Sequence, residues 1–334
     1  MAEPNWPVPF AEFVDWALYD TDTGFYATSG HAGRRGDVIT SPEVGPLFGA
    51  VVARALDTWW TELGEPTPFV VVDAGAGPGT LARSVLSAAP RCAAALRWVA
   101  VERSAAQRER HPDGIESRSD LPEFAHVIIA NELLDNLAFD LLVYDGGWRK
   151  AWVGRDRDVF VELLRPATEL PAALPMVAPH GSRVADQFAA ARWVAAARSR
   201  LAPGGRLVVF AYATTTAAMA ARPWRQWLRT YRAHERGSHY LRDVGQQDIT
   251  VEVAIDQLPE PDAVRSQAHW LALHGIDELV AEGRRVWEER AGIGDLAALR
   301  GRSRVGEAEA LTDPAGLGGY QVVEWAHSLL TALQ

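Results

Sequence analysis

The residues best placed to do chemistry are Asp73-Ala74-Gly75-Ala76-Gly77-Pro78-Gly79-Thr80-Leu81. They directly follow a β-branched run, Phe69-Val70-Val71-Val72, and open a stretch of helical periodicity. Glycines permit backbone dihedrals closed to other residues and let a ligand approach the main chain. The free N–H groups of the helix start favour an anionic group. A dinucleotide fingerprint needs its third small residue three positions after the second glycine. Here that position is Thr80, and the glycine comes one step early at Gly79. Gly-x-Gly-x-Gly, with an acid two residues before the first glycine, is instead a pattern for S-adenosylmethionine. That ligand has no pyrophosphate; its methionine carboxylate can lie near the helix start, and the glycines leave room for the adenosyl part. A tight strand-to-helix turn holding no ligand is the competing reading.

Two more acids end apolar runs. Glu102 closes Arg97-Trp98-Val99-Ala100-Val101, where a carboxylate can accept both ribose hydroxyls of an adenosyl group. NAD enzymes use the same device, so Glu102 supports a nucleoside without choosing between cofactors. His126 to Ala130 is a third run, ending at Asn131-Glu132-Leu133-Leu134-Asp135. Ligands of open α/β sheets bind beyond the carboxyl ends of strands. Asn131 and Glu132 are therefore expected at the crevice of Asp73, Gly75, Ala76, Gly77, Gly79, Leu81 and Glu102. Asp120, ahead of the third run, could reach the adenine edge or serve as an ordinary turn aspartate.

The elements that must position these groups follow from periodicity. A helix is expected from Phe10 to Leu18, another within 44–63, and a third from Leu81 to Ala89. Leu207 to Tyr212, entered through Pro203-Gly204-Gly205, reads as a fourth strand, and Tyr320 to Trp325 as a last one returning to the sheet. Residues 139–165 read as strands around the turn Asp145-Gly146-Gly147. The alternation predicts an α/β fold wound on both faces of an open sheet. The expected segments are 1–65, N-terminal and helical; 66–213, the ligand-binding core with the strand insertion at 139–165; 214–300, a largely helical lobe; and 301–334, the return to the sheet. No Ser/Gly- or Pro-rich linker divides them, which favours one elaborated domain.

Composition narrows the function. The 334 residues carry 33 basic and 43 acidic side chains, a net charge of −10. Such a chain is a poor binder of nucleic-acid backbones or anionic membranes. Cys92 is the one cysteine, which excludes an intramolecular disulfide and a cysteine-built metal site. Histidine spacings, His234 to His239 and His269 to His274, do not fit a helical ligand pair, so no metal is expected. No run of apolar residues is long enough to span a membrane, and the start lacks a signal peptide's pattern. A cytoplasmic location is expected. Lys150 is the sole lysine beside 32 arginines, a bias that suggests a GC-rich bacterial genome.

The segment Gly36-Asp37-Val38-Ile39-Thr40-Ser41-Pro42-Glu43, the glycine turn and Asn131-Glu132 together resemble the MidA-like methyltransferases. So do Phe13 to Asp20, Gly24-Phe25-Tyr26, Leu47-Phe48-Gly49, Thr230 to His234, Gln247-Asp248-Ile249-Thr250, and Ser266-Gln267 through His274-Gly275-Ile276. The resemblance covers most of 10–280 in order. It implies a Rossmann-like class I methyltransferase sheet with an enlarged, mostly helical additional lobe, and S-adenosyl-L-methionine as cofactor. Because the family includes mitochondrial complex I assembly-factor methyltransferases, it implies a protein substrate, an arginine, with a respiratory-chain subunit as a candidate partner. The Gly36–Glu43 segment would then close near the acceptor. One departure stands out: Ala211-Tyr212-Ala213 replaces the family's Asp-Tyr-Gly, removing an acid.

An arginine acceptor stays protonated, so carboxylates are needed to hold its fork and take up a proton. Asp37 and Glu132 are the expected catalytic acids. Glu43, Asp135 and Tyr212 are expected at the substrate, although each could instead be a solvated acid, a cap or core packing. The lost acid leaves two rivals open: a small-molecule acceptor in a changed pocket, or a non-catalytic cofactor-binding assembly factor. Glu252 or Asp256 could replace the acid in space. Finally, Arg222, Arg225, Arg229, Arg232 and Arg236 recur at steps of three and four. On a helix they would form one positive stripe, able to dock an acidic partner or to lie solvated beside neighbouring acids.

Overall fold

A computed structural model describes residues 4–28, 40–232 and 235–327. Asp37 and the first half of the Gly36–Glu43 segment, residues 36–39, lie outside the described residues. The described chain divides into two compact units, 40–131 with 200–210 and 262–327, and 4–28 with 132–199 and 211–261. The expected segments 1–65, 66–213 and 214–300 are each shared between these two units. Neither unit is a single stretch of chain, so no linker marks the division.

The first unit is built on a seven-stranded sheet. Its strands are β1 (Phe69–Ala74), β2 (Leu96–Val101), β3 (Glu116–Arg118), β4 (Ala125–Asn131), β5 (Leu201–Ala211), β6 (Ala263–Ser266) and β7 (Gln321–Ala326). Their order is β6-β7-β5-β4-β1-β2-β3. Parallel pairing joins β5 to β4, β4 to β1, β1 to β2 and β2 to β3, whereas β6 runs antiparallel to β7. β7, the last strand among the described residues, lies between β6 and β5; the sequence pattern of Tyr320 to Trp325 predicts a return to the sheet. β1 is buried at all six positions, the pattern of a strand covered on both faces.

Helices α1 (Pro46–Glu62), α2 (Thr80–Ser87), α3 (Gln267–Leu273), α4 (Ile276–Arg290) and α5 (Leu296–Thr312) complete this unit. Phe48, Phe210, Trp59 and Trp270 meet edge-on or tilted in its core, with ring centroids 5.0–6.3 Å apart. The start of α1 is capped at long range: Glu307 on α5 accepts the Leu47 N–H at 2.8 Å.

The second unit pairs the helix Phe10–Tyr19 with an antiparallel sheet. Asp140–Tyr144 and Trp148–Asp156 form the expected hairpin around Asp145-Gly146-Gly147, and Val159–Pro166 pairs with the latter strand. Phe10, Phe13, Phe139, Trp227 and Tyr240 are fully or almost fully buried in its core.

Residues 214–300 are less helical than the sequence pattern suggests. Helices Thr216–Ala221, α3 and α4 are present, but Leu228–Arg232, Asp248–Val251, Val253–Ala254 and β6 are strands. The arginine stripe is corrected with it. Leu228 and Thr230 are buried in alternation, a period of two that overrides the three-four spacing of the arginines.

Gly49 on α1 fixes the fit of α1 on α2, because a Cβ there would overlap Ser84. Replacing a helical glycine normally gains about 0.5–1 kcal/mol of propensity. Here overpacking wins, and Gly49→Val is expected to cost about 1–3 kcal/mol. A thermal melt checks this; an unchanged or raised melting temperature would contradict the packing.

Candidate active site

The site begins with sheet register. Ala74 lies opposite Val101 on one side and Ala130 on the other. The next residues, Gly75, Glu102 and Asn131, therefore leave the same carboxyl edge of one sheet. Gly75 and Ala76 both donate to the Val101 carbonyl, at 2.9 and 3.1 Å, which starts the turn. Gly75, Gly77 and Gly79 then take φ values of +73°, +52° and +81°, a region that favours glycine. Gly79 caps α2 in the left-handed conformation, and a Cβ there would lie 2.9 Å from Pro112 Cδ. Ala76 and Leu81 are buried against the core.

The Gly77 peptide is held from two sides. Its N–H donates to Glu102 Oε2 at 3.0 Å. Its carbonyl lies 2.9 Å from His111 Nε2, which must donate, so Nδ1 accepts from Ser117 Oγ at 2.8 Å. Glu102 Oε1 accepts the Ser104 N–H at 2.8 Å. Arg83 Nη1 donates to the Pro78 carbonyl at 2.8 Å. His111, Arg83 and Ser104 carry no sequence signal: each acts on the turn from outside the glycine pattern.

Asp73 closes the arrangement. It is 3% exposed, and its Oδ2 is buried without a hydrogen-bond partner. Burial, followed by the charge of Glu102, pushes its carboxyl up to about 7. Burial also raises Glu102. An orphaned carboxylate oxygen, a second acid and three glycine-favouring conformations on one sheet edge fit a ligand that brings hydroxyl or ammonium donors and needs close backbone approach. Glu43 lies in this unit, accepting from Thr80 Oγ1 at 2.5 Å at the start of α2. Asp120 is exposed and accepts from Ser119 Oγ at 2.7 Å.

The other expected residues belong to the second unit. Glu132 adopts a left-handed φ of +51°, rare for a residue with a side chain. Asp135 is buried; Thr250 Oγ1 donates to its Oδ2 at 2.9 Å, and its Oδ1 has no hydrogen bond. Burial pushes it up to about 6. Asp248, also buried, accepts from Tyr26 Oη at 3.2 Å, Asn136 Nδ2 at 3.2 Å and its neighbour Ile249 N–H at 2.9 Å. Burial and the like charge of Asp135 push it up to about 7. The phenol of Tyr212 is pushed up by burial and then by Glu132, with Arg229 5.4 Å from its ring centre. Asp248, Thr250 and Tyr26 were not assigned roles from sequence; their signal is their place in the segments that carry the family resemblance.

Glu252 and Asp256 do not replace the missing acid. Arg222 and Arg229 clamp Glu252 at 2.8 and 2.9 Å, so its charge is spent there. Asp256 caps the helix Thr216–Ala221 through the Thr216 N–H and hydroxyl, both at 2.9 Å. Among the described residues no group of three or more His, Cys, Asp or Glu side chains could hold a metal, and no helix is long and apolar enough to cross a membrane.

The sheet and its glycine turn define a Rossmann-like S-adenosylmethionine methyltransferase. The chain belongs to that family: the family model described as "Putative S-adenosyl-L-methionine-dependent methyltransferase" matches residues 51–273, more than half of its length. The family's description names methyl transfer and S-adenosyl-L-methionine, in keeping with the MidA-like resemblance of the sequence. It is 44% identical over 80 residues to "Protein arginine methyltransferase NDUFAF7 homolog, mitochondrial" of Drosophila melanogaster. To the Homo sapiens "Protein arginine methyltransferase NDUFAF7, mitochondrial" it is 34% identical over 80 residues. Each match covers 24% of this chain and 18% of the relative, under a fifth of its length. A Burkholderia thailandensis crystal structure bound to S-adenosyl-homocysteine shares the fold, with a TM-score of 0.80 over 96% of this chain and 88% of that one, at 24% identity.

Two outcomes follow from the geometry. His111→Ala frees the Gly77 carbonyl and is expected to weaken S-adenosylhomocysteine binding about tenfold, the loss of one partly buried hydrogen bond. Unchanged affinity by calorimetry would remove His111 from the site. Asp73 has a higher pKa folded than unfolded, so its contribution to stability is full below about pH 4 and is lost as pH rises through about 7. Asp135 and Asp248 act in the same sense. Asp73→Asn should therefore flatten, without abolishing, the fall in melting temperature between about pH 4 and about pH 7. A pH profile identical to wild type would contradict the burial argument.

Proposed function

We propose that this methyltransferase acts on a protein side chain, the guanidinium of an arginine. The observation that carries the reading is the acid set of the second unit: Glu132, partly exposed, with Asp135 and Asp248 buried and held by Thr250, Asn136 and Tyr26. A guanidinium stays charged and loses a proton when it is methylated, so its site needs carboxylates both as fork partners and as a proton acceptor. Carboxyls pushed up to about 6 and about 7 are matched to take a proton near neutral pH. The matched relatives bear the name protein arginine methyltransferase, and the partial likeness to them supports the same acceptor.

In this reading Asp73, Gly75, Ala76, Gly77, Gly79, Leu81, Glu102 and Asn131 hold the cofactor, with Asp120 at the adenine edge. Glu102 would accept from ribose hydroxyls, and Asp73 Oδ2 from a cofactor donor. When bound, S-adenosyl-L-methionine supplies an activated sulfonium methyl. Glu132 would orient the acceptor nitrogen with Asp37 as the second catalytic acid, and Glu43, Asp135 and Tyr212 would line its place. Alignment of this kind is worth about 7–11 kcal/mol of a barrier. A respiratory-chain subunit is one candidate substrate.

Radiolabelled methyl transfer into a lysate, separated into protein and small-molecule fractions, tests the acceptor class. Label is expected in protein, recovered as methylarginine after hydrolysis. Label in small molecules alone would favour the pocket altered at Ala211 and Ala213. Glu132→Gln is expected to reduce transfer by about 100-fold or more while leaving S-adenosylhomocysteine affinity in place. Full transfer by that variant would sink the role of Glu132.

A further inference from the structure

Outside the sites above, helices α4 and α5 enclose a groove of about 590 Å³. They approach at backbone contact, because Gly283 faces Gly301: a Cβ on either would lie 2.7 or 2.6 Å from the other's carbonyl oxygen. Trp287, Leu299 and Val305 give the groove an apolar lining, and Arg284 and Arg302 give it charge. Leu299 itself is 53% exposed, as are Ile293 and Leu296 earlier in the same hairpin at 70% and 62%. Single exposed apolar residues are ordinary; a contiguous set around a concavity marks an interaction surface.

The pairing of the arginines says what that surface takes. In the same helical hairpin Arg290 is paired with Asp295 and Arg304 with Glu282. The two arginines that line the groove have no carboxylate partner among the described residues. Arg302 instead lies 5.1 Å from the centre of the Trp287 ring, which holds its guanidinium across the groove wall. Glu288 and Glu289, on the same helix, are not among the lining residues. In a chain of net charge −10, two unpaired guanidinium groups flanking an apolar floor call for carboxylates brought from outside.

We propose that this groove docks an acidic peptide segment of a protein partner, seating a large apolar side chain against Trp287 and Leu299 and carboxylates on Arg284 and Arg302. This surface is separate from methyl transfer and does not depend on the acceptor being arginine.

The test uses the full chain and a fluorescein-labelled peptide in which Phe and Leu are flanked by glutamates, with a control bearing lysines in their place. Anisotropy is expected to show saturable binding of the first peptide, weakened by salt, and none of the second. Arg284→Glu with Arg302→Glu should weaken binding at least about tenfold, since both attractions become repulsions. Both side chains are exposed, so the variant should keep the wild-type melt; Leu299→Glu gives an independent check on the apolar floor. Binding that survives the double reversal, equal binding of the lysine peptide, or no binding at about 1 mM would overturn the proposal. So would sedimentation showing a wild-type dimer that the same double variant dissociates, which would put a second copy of this chain in the groove.

Discussion

One peptide group organises the cofactor side of this protein. The Gly77 N–H is taken by Glu102 and its carbonyl by His111, so the turn between β1 and α2 has its path fixed from both faces. Everything nearby follows from that restraint. Glycine is favoured at 75, 77 and 79 because the path takes positive φ three times within five residues. Glu102 uses one oxygen on Gly77 and the other on Ser104, yet an ionised carboxylate has about four acceptor positions. It can hold the turn and still accept from a ribose. Asp73, one register step back on β1, has no such relief: one oxygen stays buried without a partner. A buried acid of this kind costs stability in the free protein and gains a partner when a donor arrives, a common arrangement at functional sites.

The second unit sets out its acids on a different principle. Asp135 and Asp248 are close enough for the charge of one to raise the other, and both are buried. Tyr26, Asn136 and Thr250 meet part of their hydrogen-bonding need. The acid absent from Ala211-Tyr212-Ala213 is not restored by Glu252 or Asp256, which serve two arginines and a helix cap. If the acceptor is an arginine, its charge is answered by Glu132, Asp135 and Asp248, without that residue.

Much of the first unit was legible because its signals are local. A buried strand announces itself by Val70-Val71-Val72, and the turn by its glycine spacing. The placing of Gly75, Glu102 and Asn131 at one sheet edge then follows from the rule that parallel strands carry ligands at their carboxyl ends. The clamp was not legible: His111 lies 34 residues from Gly77, and nothing in its own neighbourhood points back to the turn. Nor was the cap that Glu307 places on α1 from 260 residues away. The arginine stripe shows the opposite error. Its three-four spacing imitates a helix, but burial of Leu228 and Thr230 in alternation decides for a strand. The two-unit division escaped for a related reason, since each unit is closed by segments distant in sequence.

The central claim is that Glu102 both fixes the turn and reads the adenosyl ribose. Calorimetric titration of wild type and Glu102→Ala with S-adenosylhomocysteine, with NAD as the control ligand, tests it most directly. The account predicts micromolar binding to wild type, none of NAD, and affinity at least about tenfold lower in the variant. Equal affinity in wild type and Glu102→Ala would contradict it.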